Sequence, residues 1–334
     1  MKKRKGEIVP NNVDAARNII EHYYRNEERP FQVAYSGGKD STLVLQLVCE
    51  VADKNEWKNP VFVGYNKTGL EPIGKFERHN KQLERMRKVG INAVCTEPVL
   101  KNRFWCMICG RGYPTPAIRL RYCTKCLKQQ PNERYFTQVA KESPSRGCLV
   151  IDGTRKEESK QRTKRLTEQG APFGLVRLRK QLNIESLSPI ADVKTAEVWE
   201  YLESVGTFFW GGTIAELKGE YQNDYARDGC WVCPFLTKEK ELRFRCNESQ
   251  IKIRNFLFAI NNDVAKRRIV SNPRQEARVK EGIASGRFVL EARKEIFNFI
   301  MSEQLRTGYI YIYPEEEEYI KLCWEHYDEN PCFS

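Results

Sequence analysis

The chain has 334 residues, of which 40% are hydrophobic and 30% charged, and its net charge is +12. This length allows one large domain or two modest ones around a sizeable core, and it excludes a wholly disordered or collagen-like chain. No apolar run approaches the roughly 18 residues of a membrane span. We expect no membrane association. The basic N-terminus is followed by no apolar stretch, so we also expect no secretory signal and a cytoplasmic location.

Short apolar strands alternate with longer helical stretches over the first two thirds of the chain. Such alternation predicts an α/β fold, in which a parallel twisted sheet is flanked by helices. An N-terminal helical extension is expected over 1–30, and one α/β domain over 31–205 with a Cys-rich insertion at about 101–130. The predicted strands are 31–35, 60–65, 91–96 and 148–152, and the predicted helices between them are 40–53, 73–89 and 132–141.

The remaining part, 206–334, is expected to hold a CxxC segment followed by a mostly helical C-terminal region. Residues 239–306 have helical character, and 309–313 (YIYIY) predict a short strand. A turn at Pro314 then leads into a helix with acidic residues in its first turn, which suits the helix dipole.

The segment SGGKDST follows the first predicted strand and opens a helix. In this context, backbone N–H groups and a helix N-terminus bind phosphate, and glycines let the main chain approach an anion. Lys39 adds positive charge, and Asp40 is able to hold Mg²⁺ through water. The segment does not satisfy the Walker A pattern. We therefore predict a distinct phosphate loop made of Ser36, Gly37, Gly38, Lys39, Asp40, Ser41 and Thr42.

Twelve cysteines in a long chain without an export signal indicate metal ligation or redox chemistry rather than disulfides. Six of them form CxxC pairs, and the spacing of the first two pairs is typical of a tetrahedral zinc site. The candidate metal ligands are Cys106, Cys109, Cys123, Cys126, Cys230 and Cys233. We expect Cys49, Cys95 and Cys148 in the core because their contexts are apolar. The three histidines have no partner at a catalytic or ligand spacing.

The stretch 34–47, AYSGGKDSTLVLQL, resembles the PP-loop of the ATP pyrophosphatase superfamily, also called adenine nucleotide α-hydrolases. The resemblance implies a Rossmann-like fold that binds ATP and Mg²⁺. It further implies cleavage between the α and β phosphates, with AMP transfer and pyrophosphate release. By the same resemblance, Lys39 and Asp40 are expected to be catalytic.

The segment 152–159, DGTRKEES, is similar to the G-x-R-x-x-E-S element of the PAPS reductase branch of that superfamily. It follows a predicted strand, so Arg155 is expected at the carboxyl edge of the sheet, where α/β folds bind ligands and where Arg suits phosphate. The alternative is an exposed basic helix start. The resemblance adds four residues to the catalytic and nucleotide-binding set: Gly153, Arg155, Glu158 and Ser159.

Three further segments resemble the DndC/SspD-type proteins of DNA phosphorothioation systems: GRGYP at 110–114, RYCT at 121–124 and GCWVC at 229–233. The resemblance implies sulfur incorporation into the DNA backbone in a bacterial modification or defence system. ATP would activate a backbone oxygen as an adenylate. The implied partners are DNA, a cysteine desulfurase that donates sulfur, and other phosphorothioation-system subunits.

Three alternative functions stay open. A PAPS reductase-type oxidoreductase would reduce an adenylyl-sulfate and release sulfite. A tRNA thiolation enzyme would use the same loop on RNA. A non-catalytic nucleotide-sensing subunit would bind ATP without releasing pyrophosphate, and Asn66, which stands where the family usually has Asp, keeps this alternative open.

The resemblance also gives the cysteines a second use, because relatives hold a [4Fe–4S] cluster on thiols that match Cys123, Cys230 and Cys233. The fourth ligand would be Cys126 or Cys246, since such a cluster takes four thiolates. Alternatively, zinc takes the first two CxxC pairs, and Cys230 and Cys233 act as a redox or sulfur-carrying pair.

Basic residues are concentrated near the C-terminal third, and such a stretch either follows a nucleic-acid backbone or forms a solvated surface. The members are Lys266, Arg267, Arg268, Arg274, Arg278, Lys280, Arg287, Arg293 and Lys294. Phe208, Phe209 and Trp210 either stack on a base or are buried, and burial is the simpler interpretation.

Overall fold

The computed structural model describes residues 12–179, 181–221, 229–236, 242–243, 245–268 and 286–326. The chain divides into two compact units. The first is drawn from Met1–Asn66, Glu77–Thr96 and Asn132–Ala226, and the second from Lys67–Phe76, Glu97–Pro131 and Arg227–Ser334. The domain limits predicted from the sequence stay a prediction.

The first unit contains a six-stranded sheet in the order β3-β2-β1-β4-β6-β5. Every neighbouring pair is parallel except β5 with β6. Because β1 pairs with β2 on one side and β4 on the other, the strand order reverses there, and α/β folds bind ligands outside the carboxyl ends of strands at such a point. The strands are β1 Phe31–Tyr35, β2 Val61–Asn66, β3 Asn92–Thr96, β4 Gly147–Ile151, β5 Val176–Arg179 and β6 Asn183–Leu187.

Helices cover both faces of this sheet, which confirms the predicted fold class. Phe136 and Val139 pack against Cys148 and Val150 on one face, and the alternate β4 residues point to the opposite face, where they are fully buried. The helices that lie wholly or mainly in this unit are α1 Asn12–Asn26, α2 Lys39–Lys54, α3 Lys75–Lys88, α5 Gln130–Glu142, α6 Lys160–Glu168, α7 Thr195–Val205 and α8 Ile214–Gly219.

The antiparallel strand β5 is absent from the sequence-based expectation. Its residues, Val176–Arg179 (VRLR), alternate apolar and polar types, but four residues are the shortest run in which such a pattern indicates a strand, and they are largely exposed. As the edge strand of the sheet, β5 pairs with one neighbour, β6, so it needs less burial than a central strand.

The second unit is built around a core that includes Trp105, Trp231, Leu257, Phe288 and Ile296. The unit contains two five-residue π-helical turns. Cys106–Gly110 contains both cysteines of the first CxxC pair, and Lys125–Gln129 contains Cys126 of the second pair. The regular elements are α4 Tyr122–Thr124, α9 Glu248–Asn262, β7 Arg267–Arg268, β8 Arg287–Phe288, α10 Leu290–Thr307 and α11 Pro314–Glu325.

The helical C-terminal region is confirmed by α9, α10 and α11, although β7 and β8 pair as short antiparallel strands within 239–306. The strand expected at 309–313 is wrong. Residues 309–313 form no strand: the amides of Tyr311 and Ile312 donate to the side-chain oxygen of Gln304, at 2.9 and 3.1 Å. A side-chain acceptor thus replaces a strand neighbour. The helix after Pro314 is present and has three acidic residues in its first turn.

Several predictions of burial are confirmed. Cys49 and Cys148 are fully buried, and Phe208 and Trp210 lie in the core of the first unit. Cys95 is only partly buried. None of the helices in the described ranges combines the length and the apolar character that a bilayer-spanning segment needs.

A buried arginine joins the segment before β1 to the neighbourhood of β6, and we expect its loss to weaken the first unit. Arg29 is 4% exposed, and it donates to Glu185 at 3.0 Å and to the Asn183 carbonyl at 3.2 Å. Arg29→Met would remove the buried cation that pairs with the partly buried carboxylates of Glu27 and Glu185, and we expect it to lower the free energy of unfolding by about 3 kcal/mol.

The matched control is Arg25→Met, because Arg25 forms an exposed ion pair with Glu21 one helical turn away. Its expected cost is at most about 0.5 kcal/mol. Urea denaturation of both variants measures the difference, and equal losses would contradict the role given to Arg29.

Candidate functional site

The segment Ser36–Thr42 joins β1 to α2 in the first unit, as the sequence predicts, and its hydroxyl groups hold the turn together. The Ser41 hydroxyl donates to the Gly38 carbonyl at 2.9 Å and accepts the Ser36 amide at 3.2 Å. The Ser36 and Ser41 hydroxyls lie 3.1 Å apart. Ser41 and Thr42 are buried, so their first role is to shape the loop.

Gly37 has the backbone conformation that makes this turn possible. Its φ is +76°, in the left-handed region that favours glycine. A Cβ at this position would overlap the ring of His79, a buried residue of α3 whose ring also packs against Tyr65. No other residue type fits both constraints.

Asp40 lies between two cations in the first turn of α2. One carboxylate oxygen accepts from Lys39 Nζ at 2.9 Å, and the other accepts from Arg155 Nε at 2.7 Å. The arrangement places two positive charges and one negative charge at a helix N-terminus, where the dipole itself favours anions.

Arg155 is 2% exposed, and the protein itself uses most of its hydrogen-bonding capacity. Besides Asp40, it donates to Glu157 at 2.7 Å, to the Val193 carbonyl at 3.1 Å and to the Thr195 hydroxyl at 3.0 Å. Hydrogen bonds from Thr195 and Arg155 lower the pKa of Glu157. In this structure Arg155 therefore positions Asp40. Direct contact with a phosphate stays a prediction.

The other residues of the G-x-R-x-x-E-S element divide into two groups. Gly153 approaches the loop so closely that a Cβ there would lie 3.0 Å from the Asp40 carbonyl carbon. Glu158 and Ser159 instead make local caps: Glu158 accepts the Arg155 amide at 3.2 Å, and the Ser159 hydroxyl accepts the Arg162 amide at 3.2 Å. The structure thus brings Gly153 and Arg155 to the loop, and it shows Glu158 and Ser159 as helix-start residues.

Tyr221 supplies an oxygen to the loop that the sequence does not predict. The backbone amide of Lys39, the first residue of α2, donates to the Tyr221 hydroxyl at 2.9 Å. A Cβ on Gly38 would lie at the same distance from that hydroxyl. An oxygen acceptor therefore already binds a helix N-terminal amide of the kind that binds phosphate.

The six CxxC thiols lie in the second unit, in or against its hydrophobic core. Burial raises the pKa of Cys123, and the thiols of Cys230 and Cys233 raise it further. Burial is the main reason for the raised pKa of Cys106, and Glu316, Cys109 and Cys323 raise it further. Burial also raises the pKa of Cys126, against the opposite effect of Arg111 and Lys125.

Among the described residues, no three His, Cys, Asp or Glu side chains come close enough to hold a metal ion. The zinc tetrad of Cys106, Cys109, Cys123 and Cys126 and the alternative cluster site that includes Cys123, Cys230 and Cys233 therefore both stay predictions.

The basic stretch is only partly described, and several of its side chains point inward. Arg293 is 5% exposed and donates to the carbonyls of Phe288 and Gly110. Arg267 is also buried, and Lys266 pairs with Glu295. Arg274, Arg278 and Lys280 lie outside the described residues, and DNA as a partner stays a prediction.

His79, Tyr221 and Cys323 are site neighbours that sequence reasoning missed. Each lies far along the chain from the residues it contacts, so no local spacing marks it. For example, nothing in the sequence around His79 indicates that its ring packs against Gly37.

Gly37→Ala should destabilise the protein more than an alanine substitution at a glycine that also has a positive φ but has no neighbouring atom at the position of its Cβ. Gly90 provides that control, because its φ is +84° and no other atom lies within 4 Å of its would-be Cβ. We expect Gly90→Ala to cost about 1 kcal/mol from left-handed strain, and Gly37→Ala about 2 kcal/mol more from overlap with His79. Urea denaturation measures both costs, and similar values would mean that the His79 contact imposes no constraint.

The chain has known relatives. An uncharacterized protein of Methanocaldococcus jannaschii is 28% identical over 232 residues, which cover 68% of this chain and 48% of that protein. A second uncharacterized protein of the same organism is 28% identical over 230 residues, which cover 69% of this chain and 41% of that second protein. The chain thus matches less than half the length of these curated relatives.

The solved structures to which the chain is similar include a phosphoadenylyl-sulfate (PAPS) reductase from Candida auris in complex with phosphate. Its TM-score is 0.41 at 10% identity, and the match covers 69% of this chain and 92% of that one. The U34-tRNA thiolase NcsA from Methanococcus maripaludis, solved with its [4Fe-4S] cluster, gives a TM-score of 0.39 at 12% identity and covers 90% of this chain and 80% of that one.

The family model of the phosphoadenosine phosphosulfate reductase domain matches residues 30–235, more than half of the chain. The match includes the phosphate loop, Arg155 and the Cys230–Cys233 pair. The chain belongs to the phosphoadenosine phosphosulfate reductase domain family.

Proposed function

We propose that this chain cleaves ATP between its α and β phosphates, transfers AMP to an acceptor and releases pyrophosphate. The observation that supports this most strongly is the loop after β1. Its left-handed Gly37 brings Lys39 and Asp40 to the start of α2, at the edge where the strand order reverses. Positioning and charge neutralisation are what phosphoryl chemistry of this kind requires.

Each residue of the loop has a role in this proposal. The N-terminus of α2 and the loop amides bind the phosphates, and Lys39 exchanges its contact with Asp40 for one with a phosphate oxygen. Arg155 stays on Asp40 and keeps that carboxylate in place. The single carboxylate of Asp40 fits Mg²⁺, which usually takes one or two carboxylates together with substrate phosphates and waters. Bound there, Mg²⁺ would neutralise phosphate charge.

We further propose that the acceptor is a phosphate oxygen of the DNA backbone and that the product is a phosphorothioate. This finer proposal is supported by the GRGYP, RYCT and GCWVC segments, the last two of which contain the thiols of Cys123, Cys230 and Cys233. A persulfide on one thiol, loaded by a cysteine desulfurase, attacks the activated phosphorus, and AMP leaves. A second thiol then attacks the sulfur–sulfur bond. Sulfur stays on the DNA, and the protein disulfide is reduced by an external dithiol.

A second candidate function is reduction of an adenylyl-sulfate, which the description of the domain family favours. It needs the same nucleotide site but makes sulfite and AMP and releases no pyrophosphate. The two reactions are therefore separated by their products.

Removal of the loop charges should abolish pyrophosphate release. We expect Lys39→Ala and Asp40→Asn each to reduce the rate by at least about 100-fold, because each removes a group that stabilises developing phosphate charge. Lys54→Ala is the matched control, since Lys54 lies in the last turn of the same helix with a largely exposed side chain. Pyrophosphate is measured with ATP, in the presence and absence of DNA.

Unchanged turnover in the Lys39 and Asp40 variants would refute the loop assignment. Transfer of radioactive sulfur from labelled cysteine, in the presence of a cysteine desulfurase, then identifies the acceptor polymer. Label in DNA supports the proposal, whereas label in RNA would assign the chain to tRNA thiolation. Sulfite release from an adenylyl-sulfate would assign it to the reductases.

Tyr221 should compete with the nucleotide for the Lys39 amide. We expect Tyr221→Phe to bind ATP about fivefold more tightly, because ATP no longer has to displace a hydrogen bond worth about 1 kcal/mol. Tyr23→Phe is the control, since the Tyr23 hydroxyl donates to the Phe173 carbonyl in the same unit. Calorimetric titration measures both affinities. Weaker ATP binding by Tyr221→Phe would instead make the hydroxyl part of the nucleotide site.

A further inference from the structure

Positive charge is concentrated on α6 of the first unit. Its sequence, KQRTKRLTE over Lys160–Glu168, holds four basic residues and one acidic residue. Leu166 is the residue that this helix buries, and it fixes which face packs on the unit. At 3.6 residues per turn, Lys160, Lys164 and Arg165 each lie about 100° or more around the helix from Leu166. All three are exposed, so together they form the solvent face of α6.

The exposed cations of β5, which follows α6 in the chain, are each neutralised by a carboxylate. Arg177 pairs with Glu185 at 3.1 Å, and Arg179 pairs with Glu133 at 2.5 Å. Charges of alternating sign are typical of a surface that faces only water. The basic residues of β5 therefore have their counter-ions within the unit.

The cations of α6 differ in this respect. Lys160 and Arg165 form no ion pair with any other residue that the structure describes. Lys164 approaches Glu168 only to 3.9 Å, and its side chain is 80% exposed. Lys160 and Lys164 lie one helical turn apart, where like charges destabilise a helix. A bound anion would relieve this repulsion.

The solvent face of α6 begins near the phosphate loop. Arg155, which contacts Asp40 of that loop, lies five residues before Lys160, and five residues span at most about 18 Å. The 3₁₀ turn Lys156–Glu158 lies between them, and such a turn advances less per residue than an extended chain. The Ser159 hydroxyl then caps the start of α6. A ligand along α6 would thus extend toward the site of AMP transfer.

The exposure of these cations favours a polymeric anion over a small one. Each exposed side chain gives a single small anion only a weak contact, because water screens the charge. A polyanion contacts all three cations at once and releases a counterion with each contact, so the contacts add up. The acceptor in the finer part of the proposed function, the DNA backbone, is a ligand of this kind.

The basic stretch at 266–294 is less suited to this role in its described part. Arg267 and Arg293 are buried, and Lys266 pairs with Glu295 at 2.6 Å. Their charge is therefore already used within the second unit.

We propose that the solvent face of α6, formed by Lys160, Lys164 and Arg165, binds the phosphodiester backbone of the DNA acceptor and leads it toward the phosphate loop. The inference rests on the proposed function, in which DNA accepts AMP, and it adds the surface that holds this polymer. The contacts are made to phosphates, so they position the DNA without selecting its sequence.

Fluorescence anisotropy with a labelled DNA duplex of about 20 base pairs tests this surface. Saturating α,β-methylene-ATP fills the phosphate loop with a nucleotide that is not cleaved there. The variant Lys160→Ala/Lys164→Ala/Arg165→Ala keeps the helix, because alanine is the best helix former. At about 0.1 M salt we expect at least about tenfold weaker binding, and the slope of log affinity against log salt should be shallower by about 2.7, since three phosphate contacts are lost.

The matched control, Arg25→Ala/Lys54→Ala/Lys58→Ala, removes three exposed cations of the same unit. It changes the net charge equally. These residues lie at the edge of the sheet where β1 and β2 begin, whereas the phosphate loop lies at the edge where β1 ends. The control should lose less than about threefold in affinity, through the lower net charge alone, and should keep the salt slope.

Equal losses in the two triple variants, or an unchanged salt slope in the α6 variant, would overturn the inference and leave the proposed function intact. An α6 variant that loses affinity for an RNA duplex of the same sequence but not for DNA would also overturn it. Failure of the original chain to bind DNA would overturn both the inference and the DNA acceptor. Pyrophosphate release, measured separately without DNA, still tests ATP cleavage in that case.

Discussion

The left-handed turn at Gly37 is the constraint on which the rest of the site depends. Gly37 lies two residues after the end of β1 and two residues before the start of α2. The ring of His79 fills the space where any larger residue would place its Cβ. The turn fixes where the first amides of α2 point and where the side chains of Lys39 and Asp40 begin. A loop with ordinary backbone angles here would direct these groups elsewhere.

Next to that turn, the buried guanidinium of Arg155 holds the Asp40 carboxylate in place. Arg155 sits on Asp40 and is itself held by Glu157, Thr195 and the Val193 carbonyl. A buried guanidinium with this many partners is expensive to move. The Nζ of Lys39 binds Asp40 and lies over the ring of Tyr221, and it is the cation that an incoming phosphate can recruit.

The alternation of apolar strands with helices was enough to predict the parallel sheet, and the glycine pair after β1 was enough to predict the loop. Both are local patterns with a direct physical cause. The sequence could not predict that His79 and Tyr221 lie at the loop. Those neighbours come from distant parts of the chain, and spacing within a motif contains no information about them. The strand predicted at 309–313 was wrong for a related reason. The amides of Tyr311 and Ile312 donate to the side chain of Gln304 rather than to a neighbouring strand.

The products of ATP cleavage test the central claim most directly. The purified chain is incubated with DNA and, in parallel reactions, with ATP labelled on its α-phosphate or on its γ-phosphate, so that the nucleotide and the released phosphate products are both separated and counted. The account predicts AMP, free or attached to the acceptor, in equal amount with pyrophosphate. Formation of ADP and inorganic phosphate would contradict it, because the loop would then direct attack at the γ-phosphate.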